Sequence, residues 1–320
     1  MANYIGIDIG GTAIKYGLVT GGGEFLHRGS VPTEVLSKGI PQFLEKLVDI
    51  VKGYQQGRDK AVEELRTAPT DPEVLAWAEP IKGVGIATAG VVDPEAGKIL
   101  FAPQSFPGYE GTNLKKLMQE RCLFPCTVEN DVNAAALGEF WQGAGRGAHS
   151  LFCITVGTGI GGALILEGKL VRGATFSAGE VGYTHIGEPE ILENLAATSA
   201  LIREVAAAKN LDPHEVDGKK IFAWAQAGDK IAAAAVDKMI ARLASGIANV
   251  CYIVNPEMII LGGGIMAQTK YIGPRLDAEL KKDLLPVIYA GTKGVFAKLG
   301  NDAGTIGAVY NFLQRKSTGQ

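Results

Sequence analysis

Two glycine clusters and one acidic pair carry the polar chemistry that this sequence offers. Asp8 stands between isoleucines in "YIGIDIGGTAIKYGLV" and is followed by Gly10, Gly11, Thr12 and Lys15. Further along, "LFCITVGTGIGGALIL" places Gly157, Gly159 and Gly162 at the G-x-G-x-x-G spacing, which marks a dinucleotide loop only where a helix follows directly. Here the continuation "ALILEGKLV" is apolar, rich in strand formers and turned at Glu167-Gly168, so the context excludes that reading. The pattern of strand, glycine turn and strand occurs twice, at residues 4–20 and again at 151–166. Backbone N–H groups that converge in such a turn make a positively polarised concavity for an anion. Either turn alone reads as a simple hairpin, but the duplication together with Asp8 favours a pair of turns that clamps a polyphosphate. The third feature, Glu129-Asn130-Asp131, precedes the helical "VNAAALGEFW". Its polar side chains can cap that helix, offer a carboxylate for chemistry, or do both.

Alternating elements must position these groups. The runs "YIGIDI", "AIKYGLV" and "EFLHRGSV", separated by glycine turns, predict a three-stranded meander, and "LFCITV", "ALIL" and "LVRGATF" predict its copy. Apolar spacing predicts helices over "IPQFLEKLVDIVKGY", "DPEVLAWAEPI" with Asp71 before a first-turn proline, and "TNLKKLMQERC" with Thr112 as its cap. In the second half "DGKKIFAWAQAG" and "IAAAAVDKMIARLASGIANVCYIV" read as helices, and "NPEMIILGGGI" as a buried strand ending in three glycines. Asp302 is a candidate cap for a last helix whose small residues permit close approach to a neighbour. Strands alternating with helices predict an α/β fold.

With 320 residues the chain exceeds a single core and predicts two domains with a cleft between them. The boundary falls near residues 131–138, which gives a smaller N-terminal lobe (1–132 plus 303–320) and a larger C-terminal lobe (133–302). A net charge of −3, with acids and bases interspersed, excludes a basic footprint for nucleic acid. No basic leader or long apolar run suggests a membrane, so a cytoplasmic location is expected. Cys122, Cys126, Cys153 and Cys251 are too scattered for a disulfide framework, and the first two lack a second pair to make a zinc site.

The ordered set "GIDIGGTAIKYGLV", "GIATAGVVD", "PGYEGTNL", "ENDVNAAALGE", "ITVGTGIGGALILEGKLVRGATFSAGEVG", "NPEMIILGGGI" and "AGTIGA" resembles the superfamily of sugar kinases, heat-shock chaperone ATPases and actin. More narrowly it resembles the ROK family of bacterial sugar kinases and repressors, over nearly the whole chain. The resemblance implies two ribonuclease-H-like (actin-like ATPase) lobes. It implies ATP and Mg²⁺ as cofactors, a small-molecule sugar as partner, and a homodimer. Asp131 is implied as the general base toward the sugar hydroxyl, with Asn130, Gly108, Glu180, Tyr183 and Glu193 as sugar contacts. Asp8 would hold Mg²⁺ through water or a phosphate oxygen. Gly10, Gly11, Thr12, Thr158 and Gly159 would line the phosphates, while Lys15 either adds charge there or is solvated. Gly263, Gly264 and Ile265 would pass beneath the adenosine, or form a plain turn from strand to helix. The repressor branch carries a DNA-binding segment ahead of the first motif, and here the first strand begins at Asn3, which favours the kinase branch.

Two departures bear on the substrate. Most members read E-x-G-H with a cysteine cluster that binds zinc, whereas this chain reads Glu180-Val181-Gly182-Tyr183 and has no cysteine in the following segment, so no zinc site is expected. His185 is expected to be local or solvated, and Glu193 is either the second sugar-gripping glutamate or a loop acid. The expected activity is phosphoryl transfer from ATP to a hydroxyl, O6, of a hexose such as glucose. N-acetylmannosamine or a β-glucoside is the alternative acceptor. A sugar-sensing protein without turnover and a chaperone-like or actin-like ATPase are the rivals from other classes.

Overall fold

In the computed structural model, which describes residues 2–66 and 70–317, the chain divides into two compact units. The first holds the described residues up to Gly143 together with those from Asn301 onward, and the second runs from Ala144 to Gly300.

The first unit opens with the antiparallel strands β1 (Asn3–Ile9), β2 (Ala13–Thr20) and β3 (Phe25–Pro32). The helices α1 (Val35–Glu64) and α2 (Pro72–Ala78) follow. Then come β4 (Ile81–Thr88), a small hairpin of β5 (Val91–Asp93) and β6 (Lys98–Phe101), helix α3 (Leu114–Cys122), β7 (Cys126–Asn130) and α4 (Asp131–Gln142). The sheet order is β3-β2-β1-β4-β7, with β4 parallel to both β1 and β7. One sheet face is covered by α1: Ile5, Ile7 and Ile9 of β1 share a buried cluster with Phe43, Leu47 and Val51.

The second unit contains β8 (Leu151–Val156), β9 (Ile160–Leu166), β10 (Lys169–Val171), α5 (Leu192–Ala196), α6 (Thr198–Lys209), α7 (Gly218–Gln226) and α8 (Lys230–Val254). It continues through β11 (Met258–Gly262), α9 (Thr269–Asp283), α10 (Pro286–Gly291) and β12 (Lys293–Phe296). Its sheet order is β10-β9-β8-β11-β12, with the first three strands antiparallel and the last two parallel. The duplication read from the glycine turns therefore extends to whole sheets of the same order. The chain re-enters the first unit as α11 (Ala303–Ser317).

Three sequence expectations shift. Helix α4, which the boundary at residue 132 assigned to the second lobe, belongs to the first unit. The cause is its packing on α11: a Cβ added to Gly307 would lie 1.6 Å from the Ala134 carbonyl oxygen, so the two backbones touch with no side chain between them. The cap of α3 is Asn113, whose side chain accepts from Lys116 N, and not Thr112. The strand read across "LVRGATF" stops at Val171. The cap by Asp71 with Pro72 in the first turn is present as expected.

The contact between α4 and α11 carries a stability prediction. Gly307→Val inserts three carbons where the facing element is rigid backbone, and overpacking of this kind costs about 1–3 kcal/mol or more. Urea unfolding should show a free energy of unfolding lower by that amount, with the midpoint shifted down accordingly; an unchanged midpoint would mean that the helices part freely.

Candidate active site

In the first unit the parallel strands β1, β4 and β7 end side by side, and their carboxyl ends collect the polar groups. This is where open α/β sheets hold ligands, because the strand ends leave a crevice there that connections do not fill. Asp8 is the penultimate residue of β1, in register with Lys15 across β2 and with Ala87 of β4. Thr88 ends β4 beside Asn130, which ends β7.

Asn130 is the N-cap of α4, and its Oδ1 accepts from Val132 N at 2.9 Å and Asn133 N at 3.0 Å. Its Nδ2 donates to the Gly90 carbonyl at 3.0 Å and to Asp131 Oδ1 at 3.1 Å. Asp131 occupies the first helical position, and its Oδ1 also accepts from Val132 N at 3.0 Å. The capping and chemical readings of this segment thus hold together: the cap fixes the carboxylate. Glu129 supports it from below, because its buried Oε1 accepts from Asn133 Nδ2 at 3.0 Å and Asn130 N at 3.1 Å.

Burial raises the proton affinity of Asp131 above the ordinary carboxylate value, opposed by the hydrogen bonds from Val132 N, its own N–H and Asn130. Asp8 is pushed up to about 7, first by burial and then by the negative Asp131, with Lys15 opposing. Two mutually repelling carboxylates with a single lysine near them make a site that gains from a cation. Lys15 Nζ donates to Asn301 Oδ1 at 2.9 Å in an exposed hydrogen bond, which ties the lysine to the segment that leads into α11.

The turn at Gly10, Gly11 and Thr12 leaves Gly11 and Thr12 exposed. Thr33 Oγ1 ties it down by donating to the Gly10 carbonyl at 2.6 Å, and Thr33 N donates to the Thr12 carbonyl at 3.0 Å. The loop with Gly108 is anchored by the fully buried Tyr109, whose hydroxyl shares a 3.0 Å hydrogen bond with Thr88 Oγ1. Gly108 itself has φ of 77°, a conformation that favours glycine.

The second unit repeats the turn between β8 and β9. Gly157 N donates to the Gly159 carbonyl at 2.9 Å, and Thr158 is exposed at the tip. The start of α6 fastens this turn: Thr198 N donates to the Gly157 carbonyl at 2.9 Å and Ser199 Oγ to the Thr158 carbonyl at 2.7 Å. Next to it lies a cavity of about 400 Å³, lined by Gly157 and Thr158, by Thr198 and Ser199, and by Asp217, Gly218, Gly264 and Ile265 among others. Thr198 is one of the lining residues, and its hydroxyl is buried without a hydrogen-bond partner among the described residues. Gly263, with φ of 100°, turns the chain from β11 into the cavity wall.

Of the residues named for this region from the sequence, Thr158, Gly264 and Ile265 line the cavity and Gly159 and Gly263 do not, while Thr198, Ser199, Asp217 and Gly218 were not revealed. Their only local signal was that Thr198 and Asp217 stand where helices begin.

The proposed sugar grips are less converged. Glu180 precedes a short turn over Val181–Tyr183 and is exposed, as are Tyr183, at 61%, and His185. Glu193 departs from a free grip: one of its oxygens, Oε2, accepts from Ile160 N at 2.8 Å, just past the glycine turn. A Cβ on Gly159 would lie 2.3 Å from that same oxygen, so the carboxylate fills the space that only glycine leaves. The sequence reading missed this brace because α5 and the turn are linked only by the fold.

Comparisons with known proteins bear on the family and the fold. The model of the ROK family matches residues 73–315. An uncharacterized protein of Clostridium perfringens is 42% identical over 96% of this chain and 97% of its own length. A beta-glucoside kinase of Listeria innocua is 30% identical over 97% of each chain. Among solved structures, a ROK family glucokinase from Streptomyces griseus in complex with glucose and AMPPNP aligns with a TM-score of 0.76 at 28% identity, covering 96% of this chain and 98% of that one. On a family match that spans most of its length, with two sheets of one order in the actin-like ATPase fold, the chain belongs to the ROK family.

Proposed function

We propose that this protein is an ATP-dependent sugar kinase that transfers the γ-phosphoryl group to O6 of a hexose or hexose derivative, with glucose as the first candidate. The observation that carries the reading is the convergence of Asp8, Asn130 and Asp131 at the ends of β1 and β7, beside an exposed glycine turn.

Phosphoryl transfer asks little covalent chemistry of a protein; it needs an aligned hydroxyl, a base near it and dipoles around the phosphates. Asp131 takes the proton of the acceptor hydroxyl. Its burial makes it a stronger base than a solvated carboxylate, and the Asn130 amide fixes its direction. Asn130 and the Gly108 loop are the sugar contacts of the first unit, and Glu180, Tyr183 and the second oxygen of Glu193 are the polar groups the second unit offers to sugar hydroxyls. Backbone N–H groups at Gly11 and Thr12, and those at Thr158 and Gly159, are the donors for phosphate oxygens, with Lys15 adding charge, while the Gly10 N–H closes its own turn on the Ala13 carbonyl. The nucleoside lies in the cavity lined by Gly264 and Ile265, which Gly263 leads into from β11. The carboxylate pair suits Mg²⁺ at Asp8, which when bound neutralises charge on the phosphates.

A coupled assay of ADP release across a sugar panel with ATP tests the reading. Turnover with any sugar supports it, and sugar binding with no turnover establishes the sensor instead. ATP cleavage indifferent to every sugar establishes the partner-driving ATPase. N-acetylmannosamine and β-glucosides belong in the panel because Tyr183 stands where most members place histidine, and because a beta-glucoside kinase is among the relatives.

The brace at Glu193 gives a second prediction. A residue that only grips sugar would change the sugar KM alone. Glu193→Ala leaves Ile160 N without its acceptor and loosens the turn, so the ATP KM is expected to rise about tenfold as well, the scale of one lost charge-assisted hydrogen bond. Initial-rate kinetics with each substrate varied in turn distinguish the two.

A further inference from the structure

The second unit encloses another cavity, separate from the nucleotide cavity in every lining residue. It measures about 270 Å³ and lies among β11, β12, α8 and α9, lined by Ile247, Cys251, Ile259, Leu261, Leu276 and Phe296 among others. Its walls are buried: Cys251 is fully buried, and Ile259, Leu261 and Leu276 are 3% exposed or less. At one end α9 contributes the exposed Asp277, and Tyr289 of α10 donates a 2.8 Å hydrogen bond to its Oδ1. That bond joins two helices across the lining and works as a latch, while the carboxylate keeps capacity to accept further donors.

We propose that this cavity is a second ligand site, for a small neutral aromatic molecule bearing one N–H donor, and that its occupation changes nucleotide affinity. Three observations support this. Apolar space of roughly 150 Å³ already holds a benzene ring, so this cavity admits two fused rings. The acceptor at its exposed end, Asp277, selects for a donor. The same stretch of chain walls both cavities: β11 offers Ile259 and Leu261 here and runs on into Gly264 and Ile265 there, and α9 starts directly after Gln268, which lines the nucleotide cavity. A ligand that shifts β11 or α9 by a fraction of an ångström therefore acts on both, because close-packed walls move as units.

The coupling half of the proposal rests on the nucleotide reading above; the binding half does not. The test uses the full chain with indole as probe and benzofuran as its analogue without the donor, both measured by isothermal titration. Indole is expected to bind saturably with one site per chain and more tightly than benzofuran. Leu276→Trp and Ile259→Phe, on two different elements, fill the space and should each weaken indole binding at least tenfold while the fold persists by circular dichroism. Tyr289→Phe unlatches the exposed end and should speed association. Saturating indole should change the affinity for AMPPNP fivefold or more. Absence of saturable indole binding, or indole binding that survives in whichever filled variant folds, overturns the site. Indole binding with AMPPNP affinity unmoved overturns the coupling. Failure of AMPPNP to bind in any condition counts against the kinase reading, not against the cavity.

Discussion

Asp131→Asn is expected to lower turnover by about two to four decades, the scale of a lost general base, while the sugar dissociation constant stays within a few-fold. The geometry makes the substitution clean. Asn130 caps α4 through its own Oδ1, so the helix start does not depend on the Asp131 charge. An amide oxygen at position 131 can still accept from Val132 N and from Asn130 Nδ2, which preserves the direction of the side chain. What disappears is the ability to take a proton. The wild-type carboxyl has its proton affinity raised by burial, so the acid limb of the turnover profile should lie above the range of a solvated aspartate. Steady-state rates from acid to neutral pH, with sugar affinity measured separately by titration, check both statements. Turnover within a few-fold of wild type would remove Asp131 from its role.

Asp8→Asn is expected to have opposite effects on activity and stability. Turnover should fall by about two decades or more, since preorganised charge at the phosphates is lost. Stability should rise. The Asp8 carboxyl holds its proton up to about 7 in the folded state, against the ordinary value of 3.8. Between these values the folded chain binds more protons than the unfolded one, so folding stability falls as the pH rises through that window. Above pH 7 the native protein carries the full cost of a buried carboxylate facing Asp131. Removing it is expected to yield about 1–3 kcal/mol near pH 8 and nothing near pH 4. Urea unfolding at the two values measures the difference directly. Magnesium should stabilise the wild-type chain above pH 7 and leave Asp8→Asn unaffected, and an equal response from both would place the ion elsewhere.

Stability lost at Asp8 and activity gained from it express one fact. Two carboxylates, one near the end of β1 and one just past the end of β7 with β4 between these strands, repel each other, and the fold holds them there. Burial is the first cause of the raised affinity at both residues, and burial was only partly legible in advance. The isoleucines flanking Asp8 announced an inward strand. Nothing near Asp131 announced that β1 and β7 would end together, because they are joined through β4 and separated by long stretches of chain.

The sequence by itself determined the local events. Strand, glycine turn and strand, used twice, follow from β-branched and aromatic runs broken by glycines, and the caps at Asp71 and Asn130 follow from side chains that satisfy free N–H groups within a few positions. Tertiary structure decided everything that depends on contact between distant segments. It placed α4 with α11 through touching backbones, gave Lys15 to Asn301, turned Glu193 into a brace for Ile160, and brought Thr198 and Gly218 to the wall of the cavity beside the β8–β9 turn. The physical reason is range. A turn or a cap is settled by hydrogen bonds that close within four residues, whereas a pair of buried carboxylates, a cavity wall or a helix crossing depends on packing that only the assembled sheets and helices provide.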